Sequence, residues 1–191
     1  MDVLLERNNM IFFTSDWHIG HDKDFLYRPR GFQNIEEMNN AIIKNCNSIV
    51  GENDILYILG DLALVPSNEY MWNQIYYNIK CKDVRFIEGN HDTDNRIDKY
   101  IEEYGFEYRG CADRLDYNHL HFYLSHYPSL TTNKDYDKPL KARLLNLSGH
   151  THSKDIWHGR PQDMCYNVAV DAHNNYPVSI EEIIEDFKKV I

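Results

Sequence analysis

Long apolar runs are missing from this chain of 191 residues. None approaches the ~20 residues needed to cross a bilayer, so no membrane partner is expected. Closely paired cysteines are missing too. The four that occur, Cys46, Cys81, Cys111 and Cys165, are widely spaced and form no CxxC pair. That argues against structural zinc and for reduced, mostly buried thiols in a cytoplasmic protein. Positive charge is scarce: 20 Lys and Arg against 30 Asp and Glu leave a formal net charge of −10. Such a balance disfavours a broad phosphate-tracking surface, although a local cationic centre can still hold one phosphate. Met1 to Asn9 carries Asp2 and Glu6 and no apolar core, so no secretory leader is expected. No repeat, low-complexity tract or linker interrupts the chain. With 42% hydrophobic residues, a single domain over residues 1–191 with one core is expected.

What is plentiful is histidine, ten in all, and the positions matter more than the number. Apolar runs within Asn9–Ser15, Asp54–Leu59 and Val84–Ile87 suit buried strands. Asn34–Val50 reads as a helix, with Asn34 as N-cap, Glu36 and Glu37 in the first turn, and a core stripe of Ile35, Met38, Ile42, Cys46 and Ile49. Ser67–Ile79, Asn95–Tyr104 and Ile180–Val190 read as further helices. After Gly105 the rhythm changes. Tyr108–Leu115 and His119–Ser125 alternate as strands around an Asp116-Tyr117-Asn118 turn, with His119 and His121 as ordinary strand residues. Leu144–Leu147 and Asn167–Val170 are short late strands. Residues 22–33 and 129–143 read as loops, the second a solvated connector or a short helix overhanging the strand ends.

Polar clusters follow the apolar runs, where open α/β sheets place their ligands. Asp16 and His18 lie two apart and point the same way on an extended segment, a half-site for a divalent metal. Gly60-Asp61 ends the second run. In Gly89-Asn90-His91-Asp92, glycine permits a sharp turn and Asn90 offers a carbonyl oxygen. His91 can carry a proton near neutral pH, and Asp92 could hold its ring in one tautomer. His126 stands before Pro128, which breaks its strand. His150 and His152, two apart after Gly149, are the sharpest local metal signal. Arg28 is a candidate phosphate ligand, and Arg30 reads better as part of a solvated turn. Each cluster alone also fits an ordinary polar turn. Together, four imidazoles besides His91, two carboxylates and one amide exceed the needs of one four-coordinate ion and suit two ions sharing a carboxylate. Two ions ~4 Å apart can hold phosphate oxygens and acidify a bridging water. His91 is then left to protonate the leaving oxygen.

These blocks, in this order, resemble the calcineurin-like metallophosphoesterase superfamily, and Asp16 to Phe32 resembles its small bacterial and phage-type members. The resemblance implies an α/β fold: a four-layer α/β/β/α sandwich of mixed sheets, metals at the sheet edge, no separate cap domain. It implies that Asp16, His18 and His152 hold one ion, that Asp61 bridges, and that Asn90, His126 and His150 hold the other. His91 would be the general acid, oriented by Asp92. The cofactor would be two divalent ions drawn from Mn, Fe, Ni or Zn, with Mn the ion for use in vitro.

The activity expected is hydrolysis of a small phosphomonoester or phosphodiester, nucleotides included, by attack of a metal-bridging hydroxide. A nuclease or RNA-end phosphatase of the same fold is the alternative. Acidity counts against duplex binding, and only Arg28, Lys134, Lys138, Lys141 and Arg143 favour it. A non-catalytic metal-binding scaffold is a third reading, opposed by the complete ligand set. Substrate identity and oligomeric state stay open at this stage.

Overall fold

Three apolar runs build the sheet that organises the first half of the chain. The structure is a computed structural model and describes residues 9–64, 78–129 and 139–190. In it β1 (Ile11–Thr14), β2 (Ile55–Leu59), β3 (Asp83–Ile87) and β4 (Glu107–Tyr108) lie parallel, and the short β9 (Val178–Ser179) runs antiparallel along the free edge of β1. A second sheet has the order β5 (Ala112–Tyr117), β6 (Leu120–Ser125), β7 (Leu144–Ser148), β8 (Cys165–Asn167). Its first pair is antiparallel and the rest parallel.

Strand periodicity sorts the core into two parts, because successive side chains leave opposite faces of a sheet. Phe12, Leu56, Ile58, Val84 and Phe86 point one way and meet Met38, Ile42 and Cys46 of α2 (Ile35–Ile49) and Ile97 and Tyr100 of α3 (Asp94–Glu102). Their neighbours Ile11, Phe13, Tyr57, Leu59 and Ile87 point the other way, onto Leu120, Phe122, Leu124, Leu145, Leu147 and Tyr166 of the second sheet. Ile180, Ile183, Ile184 and Phe187 of α4 (Ile180–Lys188) join this inter-sheet core. The result is the α/β sandwich of mixed sheets that the sequence led us to expect. The start of α2 is capped as read, where the Asn34 side chain accepts from the Glu37 amide at 2.9 Å. At the start of α4, Ser179 and Glu182 form a reciprocal capping box, whereas Thr93 before α3 makes no side-chain cap.

Several elements differ from the sequence reading. The expected strand Tyr108–Leu115 is cut in two, with β4 in one sheet and β5 in the other. Gly110, at φ +79°, turns the chain between them. The hairpin turn is Asn118-His119, both with positive φ, as a tight two-residue connection requires. His119 therefore lies in the turn, whereas His121 stays in β6. A one-turn helix, α1 (Asp24–Tyr27), falls inside the expected loop 22–33. The expected late strand Asn167–Val170 begins early, at Cys165, and past Asn167 the chain leaves the second sheet to bridge Ser15 through Ala169. The expected helix Ser67–Ile79 falls almost wholly on residues 65–77, outside the described residues, as do residues 130–138 of the 129–143 connector. All four thiols are free, Cys111 exposed and the others buried. Among the described residues no helix is long and apolar enough to cross a membrane.

Phe13 is fully buried between the sheets and stacks on Tyr57 with ring centroids 5.3 Å apart. Phe13→Ala should lower stability by ~3–5 kcal/mol. Urea unfolding followed by circular dichroism would measure it, and a loss below ~1 kcal/mol would contradict this account of the core.

Candidate metal centre

The carboxyl ends of β1, β2, β3, β6 and β7 converge on one edge. Past their strands, the first two segments stay bonded: the Asp16 amide donates to Gly60 O at 3.1 Å and the His18 amide to Asp61 O at 3.0 Å. Across the second sheet the Gly149 amide donates to His126 O at 3.0 Å. Asp16, His18, Asp61, His150 and His152 all have φ between +50° and +73°. That region costs a non-glycine residue ~1–3 kcal/mol and persists only where surrounding structure holds it. Here it re-aims five side chains inward. Two glycines permit the close approach. A Cβ at Gly89 would overlap Asp61 Oδ1, and one at Gly149 would overlap Ser15 Oγ and Asp16 Oδ2.

Three overlapping sets of donor atoms lie within 4.8 Å of one another: Asp16, His18 and His152; His18, Asp61 and His91; and Asp16, Asp61 and His126. Around Asp61 they can be parted into two groups. In the first, His18 Nε2 lies 3.1 Å from His152 Nε2, and Asp16 Oδ1 lies 3.6 Å from His152 Nε2 and 3.9 Å from His18 Nε2. In the second, His126 Nε2 lies 3.1 Å from Asn90 Oδ1 and 3.2 Å from His150 Nδ1. Asp61 Oδ2 is 3.5 Å from both His18 Nε2 and His126 Nε2.

The surrounding hydrogen bonds leave the inward atoms without hydrogen-bond donors. Asp16 Oδ2 accepts from Ser15 Oγ at 2.6 Å and from the His150 amide at 2.9 Å. Its Oδ1 is buried with no hydrogen-bond partner, a costly state unless a cation completes it. Asp61 Oδ1 accepts from the His91 amide at 2.9 Å. His126 Nδ1 donates to Leu59 O at 2.9 Å, which leaves Nε2 as a lone-pair donor. His152 Nδ1 lies 3.1 Å from both Asp171 Oδ2 and Arg30 Nη2; the two Nη2 protons go to the nearer oxygens Asp171 Oδ2 at 2.7 Å and Asp16 O at 2.8 Å, so Nδ1 donates to Asp171 and Nε2 is left for an ion. Burial, followed by the cationic side of His152 and Arg30, holds the His18 pKa far below the ordinary imidazole range. His18 is thus neutral and ready to ligate. Burial also lowers His150, aided by His126. His152 differs: burial opposes its protonation, but Asp171 and Asp16 outweigh that and raise its pKa. Buried carboxylates, imidazoles and an amide oxygen fit divalent cations of mixed N/O preference.

All nine expected ligand and catalytic residues lie at this edge, but not every role follows. Asp92, expected to orient the His91 ring, does something else. Its Oδ2 accepts from the amides of Asp61 at 2.6 Å and Gly89 at 2.8 Å, and its Oδ1 from Tyr100 Oη at 3.4 Å. It ties the second strand end to the third. Burial pushes its pKa up to about 6 against the pull of those amides. Arg28, the expected phosphate ligand, is exposed and pairs with Asp24 at 2.7 Å. Arg30, read as a turn residue, is instead buried against the cluster with Asp171. His21 also joins: its ring lies 5.4 Å from that of His18 and 6.0 Å from that of His91. The sequence signal for Arg30 was only its nearness to the first strand end, and Asp171 showed none beyond ending a late strand.

An α/β sandwich whose strand ends gather such donors defines a metal-dependent phosphoesterase. The chain belongs to the calcineurin-like phosphoesterase family, whose sequence profile matches residues 10–188. It is 30% identical to an uncharacterized protein of Methanocaldococcus jannaschii over 182 residues, 94% of this chain and 92% of that one. It is 28% identical to the Gene 66 protein of Mycobacterium phage L5, covering 91% of this chain and 92% of that protein. A crystal structure of a protein of unknown function from Aquifex aeolicus shares the fold, with a TM-score of 0.65 and 22% identity over 93% of this chain and 99% of that one.

An ion binding only the folded form should stabilise it by ~2.7 kcal/mol at a hundred times its dissociation constant. Thermal melts with Mn²⁺ and with chelator should therefore separate by several degrees. Gly149→Ala, which pushes on Asp16, should abolish that separation; a full Mn²⁺ response in the variant would contradict the close packing described here.

Proposed function

We propose that this protein hydrolyses a small phosphomonoester or phosphodiester at two divalent ions. Asp16, His18 and His152 hold one, Asn90, His126 and His150 the other, and Asp61 lies between them. The observation that carries this reading is the equal 3.5 Å reach of Asp61 Oδ2 to His18 Nε2 and His126 Nε2, imidazoles of two different donor groups. A bound pair of ions supplies charge for phosphate oxygens and an acidified water as nucleophile.

The chain's own residues supply the rest. His91 is partly exposed, with its Nε2 4.0 Å from Asp61 Oδ2. Its backbone is pinned at both ends, by its amide on Asp61 Oδ1 and by Arg96 on its carbonyl. This anchoring supports a reading in which the His91 imidazole gives a proton to the leaving oxygen. Asp92 keeps Asp61 and Gly89 at their spacing. Manganese in vitro, a cytoplasmic setting and one domain over the chain belong to the same reading.

A small substrate is favoured over nucleic acid. Lys141 and Arg143 line a cavity with Arg114 and His121, but this lies at the starts of β6 and β7. His126 and His150 follow the opposite ends of those strands, ~17 Å away at the usual rise per residue.

Mono- and diesters, including cyclic nucleotides, assayed with Mn²⁺, Fe²⁺, Ni²⁺ and Zn²⁺ in turn would test the activity; no turnover with any pair would sink it. Asp61→Asn should abolish turnover. His91→Gln should retain bound metal yet slow turnover ~10²–10⁴-fold. Unchanged turnover of an aryl phosphate by His91→Gln at saturating Mn²⁺ would remove His91 as the acid.

A further inference from the structure

We infer that Arg30 and Asp171 are positioning residues that make the ion site of Asp16, His18 and His152 tighter than the site of Asn90, His126 and His150. This rests on the two-ion reading above, but it concerns side chains that no ligand role absorbs.

Arg30 and Asp171 stand 141 residues apart and form a two-pronged pair. Arg30 Nε donates to Asp171 Oδ1 at 2.9 Å and Nη2 to Asp171 Oδ2 at 2.7 Å. The same Nη2 donates to Asp16 O at 2.8 Å, and Nη1 to Trp17 O at 3.2 Å. Asp171 Oδ2 in turn takes His152 Nδ1 at 3.1 Å. One guanidinium is thus tied at once to the backbone of Asp16 and, through Asp171, to the ring of His152. The Arg30 side chain is 1% exposed and that of Asp171 8%. With its nitrogens already turned to Asp171, Asp16 and Trp17, and with Nη2 also 3.1 Å from His152 Nδ1, Arg30 is not presented to a substrate.

The strut acts where the backbone most needs it. Asp16 and His152 both have left-handed φ, 58° and 50°, and such conformations hold only when over-determined by their surroundings. Arg30 fixes the carbonyl of one and, through the carboxylate, the ring of the other. Asp171 also raises the basicity of the His152 nitrogen turned inward, as carboxylate partners of ligating histidines do. The second donor group is supported differently. His126 Nδ1 meets a neutral carbonyl, Leu59 O, a weaker partner than an anion. Charge and rigidity are therefore concentrated on one side of Asp61. A buried ion pair of this kind adds little net stability, yet breaking it leaves a lone buried charge. Its contribution is to geometry.

Titrating Mn²⁺ into metal-free protein by calorimetry, with bound metal counted by elemental analysis, tests this directly. Wild type should fill two sites with unequal affinity. Asp171→Asn should weaken the tighter step ~10–100-fold, leave the weaker step within about threefold, and still bind both ions at saturation. Arg30→Met alone strands the Asp171 charge and can fail to fold. The double variant Arg30→Met/Asp171→Asn removes both charges together, and it should fold and reproduce the Asp171→Asn weakening. Two unchanged steps in Asp171→Asn would overturn the inference, and so would equal weakening of both, which marks a general loosening. Should wild type bind a single ion, the two-ion reading fails; that step weakening in Asp171→Asn would still support the strut, and its constancy would overturn it. Should both ions bind as expected while no ester is cleaved, only the proposed activity fails.

Discussion

The carboxylate of Asp61 is the constraint on which the rest depends. It is buried, and each of its oxygens has a separate task. Oδ1 holds the His91 amide, while Oδ2 faces His18 on one side and His126 on the other. His18 follows a strand of the first sheet and His126 a strand of the second. The shared oxygen can reach both only if the two sheets stack with their carboxyl ends level. The inter-sheet core of Phe13, Tyr57, Leu59, Phe122, Leu124 and Leu147 sets that level. Burial of apolar area, which has no direction of its own, thereby serves a site whose groups must be held within about 0.5 Å.

The site gives back strain. Five inward residues sit at left-handed φ, and an unpaired oxygen of Asp16 is buried among them. Neither would survive in a turn chosen for stability alone. Both are compensated by bonds made elsewhere: Asp92 on the amides of Asp61 and Gly89, Ser15 and His150 on Asp16, Arg30 on the Asp16 carbonyl. Strained backbone at the site is thus held by contacts from elsewhere in the fold.

Much of this was legible along the chain. The alternation of Ile11, Phe12 and Phe13, or of Leu56, Tyr57 and Ile58, announces strands covered on both faces. Asn34 and Ser179 announce helix starts. Spacing put Asp16 beside His18 and His150 beside His152. Other features were hidden for a physical reason. The break at Gly110 could not be seen because either sheet would accept the alternating segment around it, and only their stacking decides which strand goes where. Edge strand β9 is too short for periodicity to register. Asp92 was misread because an aspartate next to a histidine suggests a pair, whereas the turn directs its carboxylate toward backbone amides from two strands. Arg28 and Arg30 look alike in a loop. Only the folded chain shows that one pairs with Asp24 in water and the other with Asp171 in the interior.

The sequence by itself determined which residue types stand at which strand ends, since periodicity and turn chemistry are local and need only a few neighbours. It thereby determined the α/β class and the supply of carboxylates, imidazoles and an amide. The tertiary structure alone decided which oxygen of Asp61 faces both His18 and His126, which nitrogen of each histidine turns inward, and that Arg30 meets Asp171. These are contacts between segments up to 141 residues apart, and their distances come from the packing of two sheets, which no window of sequence contains.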